Sequence, residues 1–443
     1  MRTGAEPVFT RVMGCQGNCA VSTWQQVKEA LSIPPYGILR SLRASPLPPG
    51  APWLHVYRAQ LAAPLAYPAH GRPFRYDEKP LYASGAAFEA DRAIWCALGE
   101  AVERYAACAA DQNREMIGTG RELGECAVSP AEWIAYADTQ YDRPGFQYRC
   151  YDPDKPISWL PAKRLRDRKD RYIPASLVWL RSPFLAPAEQ FLQPVSTGLA
   201  VGQTFADAVD SGLLEVIERD AFACHWLLHW PAERRRETES EVYRELGPCL
   251  SENWALEIFE LSCEFGVPVL LARSKVAAEQ RQSCILGASA GFAVTEVAIK
   301  ALVESIQTRL WSFRLSDADR RSGKVTSFLD HVRYYLDEEH ALTASWLFGE
   351  EHAAAQEFPK SRTVEDVIGR LADEGYDAYA VDLTTPEIAD LGLHAVKVLV
   401  PGLQPLSCGE GFENLDSRRL KKFVAARGAH GALEINLAPH PFP

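Results

Sequence analysis

The sequence predicts an α+β fold, close in character to α/β, in which mixed sheets pack against helices. Three observations predict it. Long helical patterns alternate with short strand-like runs, the signature of a layered fold. Three of those helices share one motif set in otherwise apolar surroundings. Of 443 residues, 47% are hydrophobic and 24% charged, which is enough apolar surface for packed cores and far from a disordered composition. The length fits about two to four domains, or one large fold.

The same arithmetic excludes several classes. With 47 Lys and Arg against 58 Asp and Glu, the formal charge is -11, opposite to what a nucleic-acid surface requires. The apolar stretch Phe222–Trp230 is too short to span a bilayer and contains histidine. Met1, Arg2, Thr3 and Gly4 open no apolar signal segment. Eleven cysteines, an odd number without a secretory context, read as reduced thiols in a cytoplasmic protein. Cys15 and Cys19 are read the same way, because no second Cys/His pair lies near them to complete a metal site.

In chain order, residues 1–75 look irregular, broken by Pro46, Pro48, Pro49, Pro52, Pro64, Pro68 and Pro73. They are taken as a partner-facing segment, with residues 76–443 as the catalytic domain. A helix is expected over about 88–110. A proline-punctuated section with short strands follows over 145–195, and its basic run from Lys163 to Lys169 reads as a solvated hairpin or loop. A second helix covers about 205–230. Strands are expected at Val267–Ala272 and Ser283–Gly287, then a third helix over about 293–310. The late strands Ala378–Leu383 and Ala395–Val400 are each ended by turn chemistry, Thr384-Thr385-Pro386 and Pro401-Gly402.

The three helices form a weak internal repeat. Ala97-Leu-Gly-Glu100-Ala-Val-Glu103 aligns with Gly212-Leu-Leu-Glu215-Val-Ile-Glu218 and with Ala301-Leu-Val-Glu304-Ser-Ile-Gln307. Residues three apart project from one helix face. A surface glutamate pair bridged to Arg104 or Arg219 would give the same spacing. Two stretches speak against that: Ala93–Ala110 holds only Glu100, Glu103 and Arg104 as charges, and Gly212–Trp230 only Glu215, Glu218, Arg219 and Asp220. A helix apolar nearly all round is a buried helix. Buried carboxylates must be paired or bound to cations, and four glutamates outnumber two arginines. Oxygen donors without His or Cys suit Mg²⁺, which works with phosphate substrates. On the third helix Glu296, Lys300 and Glu304 read equally well as an exposed ion-pair stripe. No Walker loop is present, since Gly323-Lys324 lacks both the earlier Gly and the following Ser/Thr, so a nucleotide site must be of another kind.

These residues resemble the YcaO family. Cys96-Ala-Leu-Gly-Glu100-Ala-Val-Glu103-Arg104 is similar to its Ser-x-x-x-Glu-x-x-Glu-Arg motif, Glu215-x-x-Glu218-Arg219-Asp220 to its second acidic motif, and Glu304-x-x-Gln307 to its third. Ser196–Gly202, Asp382–Pro386 and Val400-Pro-Gly402 match the framing stretches. The final Pro439-His-Pro441-Phe-Pro443 is similar to the terminal Pro-x-Pro-x-Pro of azoline-forming members.

The resemblance, over about residues 76–443, implies a YcaO-type fold and an ATP-dependent peptide cyclodehydratase. A Cys, Ser or Thr side chain attacks the preceding amide, ATP phosphorylates the oxyanion, and phosphate departs to leave a thiazoline or oxazoline. It implies Mg²⁺ on Glu100, Glu103, Glu215, Glu218 and Glu304. Nucleotide contacts would come from Cys96, Arg104, Arg219 and Gln307, and Arg104, His440 and Pro443 would serve in the reaction centre. His440 reads either as a proton carrier or as a packed, neutral histidine. Cys96 departs from the motif Ser, and Ser84-Gly85-Ala86-Ala87 lacks the Lys often found there. Expected partners are the precursor peptide, an E1-like or other recognition-element subunit as in a microcin-like synthetase, and an FMN-dependent azoline dehydrogenase if azoles are the product.

Three other readings compete. Thioamide or amidine formation is the rival within the family. A serine hydrolase would use Ser289 in Gly287-Ala-Ser-Ala-Gly291 with Asp382 and His394. A non-catalytic scaffold would follow from Cys96 and the missing Lys.

Overall fold

The computed structural model describes residues 23–32, 37–62, 81–133, 136–182, 185–186, 189–277, 282–315, 323–350, 361–415, 418–429 and 433–442. Cys15, Cys19 and Pro443 lie outside the described residues, as do parts of the 1–75 stretch.

Three antiparallel sheets organise the chain. The first joins β1 (Leu39–Ala44), β2 (His55–Leu61) and β3 (Tyr82–Ala87) in that order. The second has the order β4 (Met116–Gly118), β5 (Ile157–Arg164), β12 (Tyr379–Asp382), β13 (His394–Leu399) and β7 (Leu199–Gly202), with β6 (Asp170–Pro174) also paired to β5. The third runs β11 (Leu286–Ala290), β10 (Val269–Val276), β9 (Trp254–Leu261) and β8 (Glu233–Arg234). The helices are α1 (Trp24–Ser32), α2 (Ala90–Ala106), the short α3 (Gly120–Leu123) and α4 (Asp138–Tyr141), α5 (Phe205–Leu227), α6 (Arg236–Leu246) and α7 (Val294–Ser312). Shorter helices follow at Phe328–Tyr334, Glu338–Thr343, Val364–Asp373, Pro386–Ala389 and Arg418–Ala425.

The expected α+β architecture holds, and the three motif helices form where the pattern puts them. The basic run becomes the β5–β6 hairpin, closed by Arg164 N–H donating to the Lys169 carbonyl and Arg168 N–H donating to the Arg164 carbonyl. The 1–75 stretch is less irregular than expected. Val27 and Leu31, four apart on α1, are buried, β1 pairs with β2, and β2 pairs with β3 across the expected boundary at 75/76. Its described prolines Pro46, Pro48, Pro49 and Pro52 fall between β1 and β2 rather than inside them, so they delimit strands instead of abolishing them. Pro64, Pro68 and Pro73 lie outside the described residues.

The decisive feature is where the motif helices start. β3, β7 and β11 are the edge strands of the three sheets, and each leads directly into α2, α5 or α7. Each helix packs on its own strand and also touches the edge strand of the next unit: α2 meets β7, α5 meets β11, and α7 meets β3. The approach is very close. A Cβ at Gly85 would stand 2.2 Å from the Ala97 nitrogen, and one at Gly287 2.3 Å from the Ala301 carbonyl, so glycine is required at both. A ring of three strand–helix units thus encloses a common centre.

Candidate active site

Within each unit the first motif glutamate turns back onto its own strand. Ser84 N–H donates to Glu100 Oε2 (2.6 Å), Gly198 N–H to Glu215 Oε2 (3.0 Å) and Ala288 N–H to Glu304 Oε2 (2.7 Å). These edge-strand amides lack a ladder partner on that side, and the carboxylates satisfy them. The second motif residue reaches forward to the next unit. The Val201 backbone helps hold the charge of Glu103, the Ala290 backbone that of Glu218, and Gln307 Nε2 donates to Ser84 Oγ at 2.7 Å. The sequence repeat is therefore a spatial three-fold ring.

At its centre lies a cavity of about 700 Å³. Glu100, Glu103, Arg104, Glu215, Arg219, Glu304 and Gln307 all line it. Glu218 stands behind Arg219, with Oε1 3.3 Å from Nε. Leu47, Tyr82, Trp311, Phe328, Leu329 and Val332 add apolar and aromatic groups to the lining, and Arg58 and Arg314 two further cations. Ser84, Ser196, Thr197 and Thr308 add neutral polar groups. Thr308 holds the place that Arg104 and Arg219 hold in the other helices.

Burial and mutual repulsion dominate the electrostatics. Burial first, then the Glu215 and Glu100 charges, push the Glu103 carboxyl up to about 8. Burial pushes Glu218 to about 8 as well, against the opposing pull of Arg219. Glu304 is raised too, chiefly by burial. Arg104 bonds Glu100 Oε1 through Nε at 2.9 Å, and Arg219 approaches Glu215 (3.4 Å), Glu218 (3.3 Å) and Glu304 (4.0 Å). Arg58 and Arg314 also line the cavity, but among the described residues only Arg104 and Arg219 are paired with these glutamates. Two paired guanidinium groups do not compensate five carboxylates, so a divalent cation fits the centre. The all-oxygen donor set suits Mg²⁺. Among the described residues no three of these side chains are already gathered as a metal-ligating cluster, because the first glutamates are turned onto backbone amides.

Two expected site residues lie elsewhere. Cys96 is exposed at its surface one turn before Glu100, outside the cavity lining, and its thiol is pushed up chiefly by the protein packed around it, against the pull of Arg92 and Lys300. His440 is 4% exposed and also absent from the lining. Its Nε2–H donates to the Ser407 carbonyl (2.8 Å), its ring stacks on His331, and burial holds its pKa far below the ordinary histidine value. It is a neutral packing group here. The exposed-stripe alternative fails for Glu304, which faces the cavity. The hydrolase alternative fails on Ser289, a buried residue paired to Leu270 inside β11 rather than perched on a strand–helix elbow.

Sequence reasoning missed the apolar wall, Thr308 and the environment of the 436–442 segment. Phe442 is fully buried and its ring lies 4.2 Å from the Arg219 guanidinium carbon, a cation–π contact. No local pattern announces such contacts.

Comparison with known proteins accords with this geometry. The family model described as YcaO cyclodehydratase, ATP- and Mg²⁺-binding, matches residues 84–404. An uncharacterized protein of Methanothermobacter thermautotrophicus is 26% identical over 275 residues, 57% of this chain and 66% of that protein. A heterocyclase solved in complex with substrate and cofactor shares the fold, with a TM-score of 0.75 and 23% identity, covering 96% of this chain and 58% of that one. The E. coli microcin synthetase McbBCD complex is similar with a TM-score of 0.54 and 17% identity, covering 81% of this chain and 87% of that one. The chain thus spans 66% of that curated relative and 58% of that heterocyclase, less than two thirds of each.

Proposed function

Because the chain belongs to the YcaO cyclodehydratase family, we propose that it converts Cys, Ser or Thr residues of a ribosomally made precursor peptide to thiazolines or oxazolines at the expense of ATP. The observation that supports this most strongly is the acidic ring lining a cavity large enough for a nucleotide and a peptide segment.

The side-chain thiol or hydroxyl adds to the preceding amide carbon, and the resulting oxyanion attacks the γ-phosphorus of ATP. Expulsion of the phosphorylated oxygen as phosphate, with loss of the amide proton, closes the C=N bond. The balance is peptide plus ATP giving azoline peptide, ADP and phosphate. Mg²⁺ held by Glu100, Glu103, Glu215, Glu218 and Glu304 would neutralise the triphosphate and the departing ADP. Arg219 and Arg104 place fixed positive charge beside the transferring phosphoryl group. Gln307 and Ser84 offer neutral hydrogen-bonding groups beside Glu100. The apolar lining groups take the less polar parts of the two reactants and exclude water.

Recruitment of the peptide is assigned to a partner subunit, E1-like or otherwise carrying a recognition element, and a separate FMN-dependent dehydrogenase would yield azoles. The 1–75 stretch is the proposed docking side, where Trp53 is 69% exposed in the β1–β2 connection. The free thiols of the nine described cysteines suit the cytoplasm, where ATP and precursor are made.

The test is to mix the protein with its candidate precursor and partner subunits, with and without ATP and Mg²⁺. Loss of one water per modified residue, only with ATP, is the expected result. ATP consumption without water loss, or water loss without ATP, overturns the reading. Trp53→Glu should weaken assembly and leave ATP turnover intact, and unchanged assembly removes the docking assignment.

A further inference from the structure

The segment 436–442 is held by a set of side chains that nothing in the reaction requires. Asn436 N–H donates to the Leu227 carbonyl (2.8 Å) and Asn436 Nδ2 to the Trp226 carbonyl (3.2 Å), which ties the segment to the end of α5. Three successive carbonyls are then each taken by a different side chain. Trp226 Nε1 donates to Ala438 (2.9 Å), the Tyr335 hydroxyl to Pro439, and His331 Nδ1 to His440 (2.9 Å). The proton on His331 is assigned by its other nitrogen, since Nε2 accepts from Gly409 N–H at 3.1 Å. The His331 and His440 rings stack with centroids 4.0 Å apart. Two residues later, Phe442 lies against Phe222 and beneath Arg219.

His331 belongs to the helix Phe328–Tyr334, and that helix has two working faces. Phe328, Leu329 and Val332 line the large cavity, while His331 is 1% exposed and turned into the clamp. One rigid turn of helix therefore forms both the wall of the reactant cavity and the seat of the segment that carries Phe442 to Arg219.

We propose that His331 is a positioning residue that fixes the 436–442 segment, and through Phe442 the guanidinium of Arg219, so that ATP use is tied to ring closure. This rests on the cyclodehydratase reading for its coupling half, whereas the clamp itself stands on contacts alone. A movement of the helix when the cavity fills is transmitted to Arg219 by the stacked rings and the His331–His440 bond. Loss of the bond leaves the acidic ring intact but lets Arg219 leave its place over Phe442.

Two variants separate the roles. His331→Phe keeps the ring stack and loses both hydrogen bonds, whereas His331→Asn keeps a donor near the Nδ1 position. Hydrogen exchange of the 436–442 amides in the full-length protein should rise about tenfold in the Phe variant, the factor expected for one buried hydrogen bond, and return towards wild type with Asn. In the assembled system the Phe variant should release about ten times more phosphate per water lost from the peptide, with affinity for a non-hydrolysable ATP analogue within about twofold of wild type. Unchanged exchange overturns the clamp whatever the turnover. Raised exchange with an unchanged phosphate-to-ring ratio overturns the coupling. If the wild type turns over no ATP with its peptide while exchange behaves as expected, the proposed function fails and the clamp stands.

Discussion

Helices α2 and α5 carry the same Glu-x-x-Glu-Arg pattern, yet their arginines live differently. Arg104 is 36% exposed at its side chain and is hydrogen-bonded to Glu100 on its own helix. Arg219 is 15% exposed, approaches glutamates 215, 218 and 304 on two helices, and stands over the Phe442 ring. A repeated motif therefore does not distribute work evenly. The neighbours contributed by α7 and by residue 442 turn one of two equivalent arginines into the main counter-charge of the ring.

The sharpest way to break this comparison is to remove each arginine. Arg219→Met should lower ATP-dependent water loss about 100- to 1,000-fold, the scale for deleting a preorganised charge at a reaction centre. Arg104→Met should cost about tenfold, the scale of one charged hydrogen bond. Equal losses in a mass-spectrometric ring count would erase the distinction.

Next in size are the second glutamates. Glu103→Gln and Glu218→Gln keep shape and remove a buried charge, so the apparent Mg²⁺ affinity should fall roughly 10- to 100-fold. The metal-free proteins should melt later, because an uncompensated buried carboxylate is gone. Mg²⁺ titration of ATP turnover and a thermal melt measure both. A loss of stability in either variant would mean that the carboxylate is structurally paired rather than reserved for a cation.

A smaller effect should follow Phe442→Leu, which preserves apolar burial while removing the ring beneath Arg219. A cation–π contact of about 1 kcal/mol corresponds to a loss of roughly fivefold in turnover, and Arg104-dependent contacts should be indifferent to it. A further effect, on stability rather than turnover, is a pH dependence at the clamp. Burial holds His331 down at about 4, with Asp330 and the His440 carbonyl pulling the other way. A depressed histidine adds no pH dependence above the unfolded value near 6.5, and its contribution is lost as pH falls from there towards 4. At pH 5 the loss is about 2 kcal/mol for this group. Because Glu103 and Glu218 titrate with the opposite sign, the decrease is read as a difference: between pH 7 and 5 the wild type should lose stability relative to His331→Phe in thermal melts.

Much of the centre was legible because its chemistry is local. Glu100, Glu103, Glu215, Glu218, Glu304 and Gln307 announce themselves as polar positions on apolar helices, a pattern that survives without knowledge of any neighbour. The three long helices and the late strands were legible for the same reason, since 3.6-residue and two-residue periodicities are written along the chain. The 1–75 stretch was not, because β1 and β2 are short and their pairing with β3 spans a gap in sequence. His440 was left open between two readings because its surroundings are set by His331 and Ser407, distant residues that take up its ring face and its Nε2 proton. Cys96 matched a motif position but lies on the outward side of α2.

What the sequence by itself determined was the identity of the charged groups and their helical faces, hence an excess of buried carboxylate that requires a cation. Only the tertiary structure decided that the three edge strands and their helices close into a ring, that α7 supplies the neutral wall through Gln307 and Thr308, and that Phe442 comes to rest beneath Arg219. The physical reason is range. Helical periodicity and charge spacing act over a few residues, whereas ring closure and side-chain clamps join groups hundreds of positions apart, and their partners are chosen by packing.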